Sequence, residues 1–168
     1  MKTIELTKGK VALVDDSWYD ELSQYKWHAS YEPHTKSFYA LRNSPSLFGK
    51  RKRILMHRVI MNTLNGMQVD HIDHDTLNNQ TANLRNCTHS ENMHNSRKPG
   101  NNTSGYKGVS WNRKRKEWCA QIRLGKVIFL GYFTDPIEAA TAYDQAAKEL
   151  HGEFARLNFA EDENAGRA

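Results

Sequence analysis

Asp70 and His71 stand side by side, Asn83 follows twelve residues after His71, and Asn92 comes nine later. Hydrolysing a phosphodiester needs an activated water, a cation on the phosphate and leaving oxygen, and tight placement of both. Asp70 is a hard oxygen ligand suited to Mg²⁺ or Mn²⁺, and the side-chain oxygen of Asn92 could be another. His71 titrates near neutrality and can take a proton from water. So few protein ligands would leave positions open for water and phosphate. One tension is built in: adjacent strand residues face opposite ways, so Asp70 and His71 share a site only where the strand ends or twists. Asp73, His74, Asp75, His89 and His94 lie close by and keep a shifted ligand set open, and His57 could approach from the preceding segment.

The elements that must position these groups follow from the surrounding pattern. Val69 to Ile72 reads as a strand, Asp73 to Thr81 as a polar loop, and Leu84 as the start of a second strand. Thr88-His-Ser-Glu91 matches a capping box, so a helix is expected to start there and carry Asn92 in its first turns. Upstream, Ile54 to Leu64 places Leu55, Met56, Val59 and Ile60 at helical spacing, ended by Asn65-Gly66. Ile4 to Val14 predicts two short strands turning at Lys8-Gly9, then a short helix capped by Asp15 or Asp16 with Trp18, Leu22 and Tyr25 on its apolar face. Tyr25–His28 and Phe38–Arg42 read as two further strands.

Asp70-His71, Asn83 and Asn92 at these spacings resemble the HNH nucleases, in particular the phage and intron homing endonucleases with a ββα-metal fold. The resemblance implies that His71 is the general base, that Asp70 and Asn92 hold one divalent cation, Mg²⁺ or Mn²⁺, and that Asn83 braces the loop and orients His71. HNH relatives with zinc-binding cysteine pairs exist, but this chain has only Cys87 and Cys119, so no structural zinc is expected.

Beyond the turn-rich SRKPGNNT, three strands (Tyr106–Trp111, Trp118–Leu124, Val127–Tyr132) precede a helix that opens on Asp135-Pro136-Ile-Glu138 and ends at Gly152. The segment carries Gly105-Tyr106-Lys-Gly108-Val109, Trp118-Cys-Ala120, Leu130-Gly131-Tyr-Phe133, Ala142-Tyr143-Asp144 and Leu157-Asn158-Phe159. In these it resembles the AP2/ERF DNA-binding domain, which implies a sheet laid in the major groove and backed by the helix. Lys107, Ser110, Asn112, Arg113, Lys114 and Arg115 are contact candidates, joined by Gln121 and Arg123 on the face opposite Ile122 and by Lys126 and Phe129. The plant family's Arg-rich first strand is replaced here by Lys107, Ser110 and Asn112, which leaves the target sequence open. Trp111, Trp118 and Tyr143 are read as core. The stretch ALVDDSWYDELSQYKWHA is similar to a leader found in phage-type HNH–AP2 proteins.

The chain has 168 residues, 24 Lys plus Arg against 19 Asp plus Glu, and a net charge of +5. Basic runs at Lys50–Arg58 and Arg113–Lys116 favour a polyanion as partner, and Arg51, Arg53 and Arg58 are further DNA-contact candidates. No apolar run suits a membrane span, the N-terminus lacks a signal-like h-region, and two distant cysteines fit a reducing compartment. A cytoplasmic α+β protein is therefore expected, with double-stranded DNA as partner, no membrane and no small-molecule substrate, acting as a monomer or dimer. Its expected organisation is a small mixed N-terminal supporting region (1–49), a ββα-metal HNH core (50–97), a linker (98–103), an AP2-like three-stranded antiparallel sheet with one helix (104–160) and a tail (161–168). The leading functional reading is a site-preferring DNA endonuclease; a non-cutting DNA-binding protein and a restriction-type HNH enzyme are the alternatives.

Overall fold

Short strands and helices dominate because few apolar runs here exceed four or five residues, too short for an independent element. The computed structural model describes residues 1–45, 50–98 and 100–159; the tail at 161–168 lies outside them. The chain divides into two units, Met1–His89 and Ser90–Ala168.

The first unit opens with β1 (Lys2–Glu5) antiparallel to β2 (Val11–Val14). The turn between them is a single 3₁₀ turn, with Lys8 and Gly9 both at positive φ. Helix α1 (Asp16–Leu22) follows. Asp15 occupies its N-cap but makes no side-chain cap bond, because its carboxylate is engaged by Thr81 instead. Strands β3 (His28–Glu32), β4 (Ser37–Asn43) and β5 (Arg53–Leu55) form a sheet in that order.

Two expectations are corrected here. The first sheet strand starts at His28 rather than Tyr25. The helix expected from Ile54 begins only at Met56, as α2 (Met56–Ile60), since Ile54 and Leu55 pair with Arg42 and Leu41 on β4. A short apolar run reads equally as strand or helix, and the open edge of β4 decides it. Beyond α2 come β6 (Gln68–His71) and β7 (Leu84–Cys87), an antiparallel pair in which Asp70 faces Arg85 and His71 faces Leu84.

One core serves the whole first unit. Ile4, Ala12, Val14, Leu22, Trp27, Ala40, Met56, Ile60 and Leu84 are buried together. Trp27, almost wholly enclosed, satisfies its indole N–H by donating to the Leu22 carbonyl at 2.9 Å. The N-terminal strands thus bury the same surface as α2 and β7.

Helix α3 (His89–His94) begins on the last residue of the first unit. In the second unit its final residue, His94, stacks on His151 with ring centroids 3.7 Å apart. Strands β8 (Val109–Asn112), β9 (Glu117–Leu124) and β10 (Lys126–Phe133) form an antiparallel sheet with β9 central. Helix α4 (Pro136–His151) starts as its sequence predicts, with Asp135 accepting from the Ile137 N–H at 2.8 Å and Pro136 in the first turn. Its small residues let it lie close on the sheet: Ala139, Ala140 and Ala147 are fully buried beside Val109, Ala120, Ile122 and Tyr143. Gly108 has φ +77, and a Cβ there would overlap the Tyr143 ring and stand 2.8 Å from the Gln121 carbonyl oxygen. Only glycine fits that position. The architecture is α+β, and among the described residues no helix is long and apolar enough to cross a membrane.

Candidate functional site

The site is built around a loop whose shape comes from its own polar side chains. Asn83 donates through its amide nitrogen to the Asp73 carboxylate and the Asn78 carbonyl, both at 2.9 Å, and accepts the Asp73 N–H on Oδ1 at 3.0 Å. Asp73 also accepts from the Asp75 N–H and the Asn78 amide. Burial pushes Asp73 up, but these donors outweigh it and hold the carboxyl below its ordinary range. The Asn83 carbonyl receives the Ile72 N–H, tying the end of β6 to the start of β7. Asn83 thus locks residues 72–83 into one frame, without touching His71 through any of these bonds.

The N-terminal strands hold the same loop from outside. Leu13 exchanges backbone bonds with Leu77 and Asn79, and Thr76 donates its hydroxyl to the Phe38 carbonyl. Asp15 accepts both the N–H and the hydroxyl of Thr81, and those bonds lower its pKa. These bonds tie Leu13, Asp15 and Phe38 of the N-terminal region to the loop.

His71 lies at the end of β6, where it is only 5% exposed. Its ring stands 5.1 Å from that of His57, nearly perpendicular, and 6.2 Å from Tyr39. Desolvation lowers the pKa of His71, opposed by Asn79 and by the carboxylates of Asp73, Asp70 and Asp75. The imidazole is therefore neutral at pH 7, the form that can accept a proton. Beside it, His57 is pushed down to about 3 by burial, then by His71 and Arg58. Its buried Nδ1 has no hydrogen-bond partner. One neutral imidazole, His57, and the Tyr39 ring thus stand against the candidate base.

Asp70 is as buried as His71. Arg85, directly across on β7, donates to its Oδ2 from Nε at 2.8 Å and from Nη2 at 2.7 Å. Sequence reasoning missed Arg85. The signal was available only through register: once β6 and β7 pair antiparallel, position 85 must lie opposite position 70. Asn92 sits half-buried in α3, within the second unit.

The sheet of the second unit sorts its residues by face. Ala120 and Ile122 face α4, while Gln121 and Arg123 lie exposed on the other side, as alternation requires. Ser110 and Phe129 join them, Phe129 being 56% exposed. A register shift between Phe129 and Gly131 brings Tyr132 opposite Cys119, so Phe129 and Tyr132 share the outer face with ring centroids 4.9 Å apart. The bulge is what re-aims that strand. Arg113, Lys114 and Lys126 are exposed. Arg115 stacks over Tyr132 at 4.4 Å and pairs with Glu117 at 3.2 Å. Asn112 is turned to local use, accepting the Lys114 and Arg115 N–H groups.

Three side chains read from sequence behave differently. Lys107 is half-buried, its ammonium donating to the His94 and Ser96 carbonyls. Arg58 binds the carbonyls of Met67, Thr63 and Leu64 and so braces the end of α2, whereas Arg51 and Arg53 are exposed. Trp111, read as core, packs edge-on against Trp118 yet remains 43% exposed at the rim of the sheet.

Comparison with known proteins gives one family and several relatives. Residues 55–94 match the HNH endonuclease family. The chain is 36% identical over 92 residues to Protein 3.8 of Escherichia phage T7, covering 55% of this chain and 76% of that protein. It is 30% identical over 157 residues to a protein named Uncharacterized HNH endonuclease L560 of Acanthamoeba polyphaga mimivirus, covering 90% of this chain and 76% of that one. It is also similar to Dehydration-responsive element-binding protein 2A of Oryza sativa subsp. indica, 42% identical over 74 residues. That match takes in 40% of this chain but only 27% of the plant protein.

Proposed function

Because this chain belongs to the HNH endonuclease family, we propose that it is a metal-dependent endonuclease cutting double-stranded DNA at a preferred site, in the manner of the homing enzymes. His71 takes the proton from the attacking water. What carries the reading is the burial of His71 beside a loop locked by Asn83, because burial keeps the ring neutral. A general base in that state contributes roughly 10²–10⁴ in rate.

Asp70 and Asn92 are the proposed cation ligands. Among the described residues no group of three or more His, Cys, Asp or Glu side chains is arranged to hold a metal ion. One carboxylate and one amide oxygen instead suit Mg²⁺, which retains several waters and is held by one or two protein oxygens plus substrate phosphate. The bound cation supplies Lewis acidity at the scissile phosphate. Arg85 keeps the Asp70 carboxylate in one orientation and offsets the cost of burying it.

The second unit places the cut. Its outer sheet face offers Ser110, Gln121 and Arg123 to base edges, with Arg113, Lys114, Arg115 and Lys126 for phosphates and Phe129 for apolar contact. Arg51 and Arg53 add charge from the first unit. The similarity to a plant relative named as an element-binding protein supports DNA binding by this chain. With one His71 per chain, a nick is the product of a single engagement.

The test is incubation of supercoiled plasmid and of a random-sequence duplex library with Mg²⁺, Mn²⁺ or EDTA. Metal-dependent conversion to open circle, or depletion of a sequence class from the library, is expected. Tight duplex binding with both substrates left intact would overturn the nuclease reading in favour of a DNA-binding protein that does not cut.

A further inference from the structure

Four cationic side chains converge in the second unit at a place that neither the HNH motif nor the outer sheet face uses. Arg97, Lys98, Lys107 and Arg156 line a cavity of about 360 Å³, completed by Gly105, Leu157 and Asn158. No carboxylate is among these lining residues. At a water's share of ~30 Å³, the space accommodates a tetrahedral oxyanion with part of its hydration.

Part of the lining is braced by the fold itself. Asn158 clamps the backbone of Lys107 from both sides, accepting its N–H at 2.6 Å and donating to its carbonyl at 3.1 Å. Buried Asp144 in turn accepts the Asn158 N–H and amide. Lys98 donates to the Gly105 carbonyl at 2.6 Å. The Lys107 ammonium donates to the His94 and Ser96 carbonyls, and an ammonium has three protons. The third is available to a ligand.

These cations feel one another. Burial and then Arg156 push Lys107 down to about 8, and burial and then Arg97 lower Arg156. Cations lining one cavity make its potential positive, which favours an anion there. Guanidinium forks favour an oxyanion that accepts bidentate bonds.

We propose that this cavity binds one phosphate oxyanion, which in the working protein is a backbone phosphodiester of the DNA. The source of that phosphate rests on the DNA-binding reading above; the cavity's preference for phosphate does not. Full-length chain and the variants Arg156→Gln and Arg97→Gln would be titrated with inorganic phosphate by NMR, and with duplex DNA over a range of salt concentrations. Arg97 is exposed, so its variant keeps the test open if Arg156→Gln fails to fold. Phosphate binding at least fivefold weaker in the variants is expected, and the slope of log affinity against log salt should fall by about 1. Weaker phosphate binding with an unchanged DNA slope would overturn the backbone assignment and leave a free phosphate as the ligand. Unchanged phosphate binding would overturn the site itself. Failure of the wild type to bind any duplex would instead sink the DNA reading, with the phosphate titration still deciding the cavity.

Discussion

His71 and Asp70 show how adjacent residues of one strand are held for different work. Burial keeps the imidazole neutral, whereas Arg85 accompanies the buried carboxylate. Because the pKa of His71 is lowered, the acid limb of the cleavage rate is expected below pH 6.5; a rate that halves above pH 7 on acidification would contradict it. Arg85→Met leaves Asp70 buried without its guanidinium and should cost about 3–5 kcal/mol in urea unfolding. A loss under 1 kcal/mol would show that the pair is not coupled. The motif residues were legible because their types and spacings are local facts. Arg85 and Asn79 were not, and His57 was open only as a candidate, since their place beside the motif depends on strand register and on packing between segments far apart in sequence.

Elements here are short, and single residues decide them. The three strands and helix of the second unit could be read in advance because each carries its own start and stop signals, such as Asp135-Pro136 and Gly152. Segment 54–64 could not, because whether Ile54 and Leu55 extend a helix or a sheet is settled by the vacant edge of β4. Gly108 is a second such point. Gly108→Ala forces the Tyr143 ring or the Gln121 backbone to shift while also holding alanine at positive φ. A loss of about 2 kcal/mol or more is expected in thermal unfolding, together with weaker DNA binding; an unchanged melting temperature would contradict that packing. Asp15→Ala removes both Thr81 bonds rather than a helix cap. Cleavage should therefore suffer more than helix content, measured by plasmid nicking beside circular dichroism, and an equal or reversed effect would refute the assignment.

At the scale of the whole molecule, the first unit has a single core to which the N-terminal strands and the β6–β7 hairpin both contribute. Composition could not reveal this, because Trp27 and Val14 carry no mark of which partners will bury them. The burial of His57 in this unit predicts acid sensitivity. His57 is neutral in the folded state down to about pH 3 but takes a proton near 6.5 when unfolded. The unfolded state thus binds more protons in that window, so stability is lost as pH falls from about 6.5 towards 3, at ~1.4 kcal/mol per pH unit for a fully differential proton. Urea midpoints at pH 7 and pH 5 should differ, and less so in His57→Phe; equal shifts in both proteins would contradict the assignment to His57. The most direct test of His71 as the general base is His71→Ala, assayed side by side for cleavage and for duplex binding with Mg²⁺. Cleavage should fall at least a hundredfold, with affinity kept within about twofold. Cutting at the wild-type rate would contradict the role of His71.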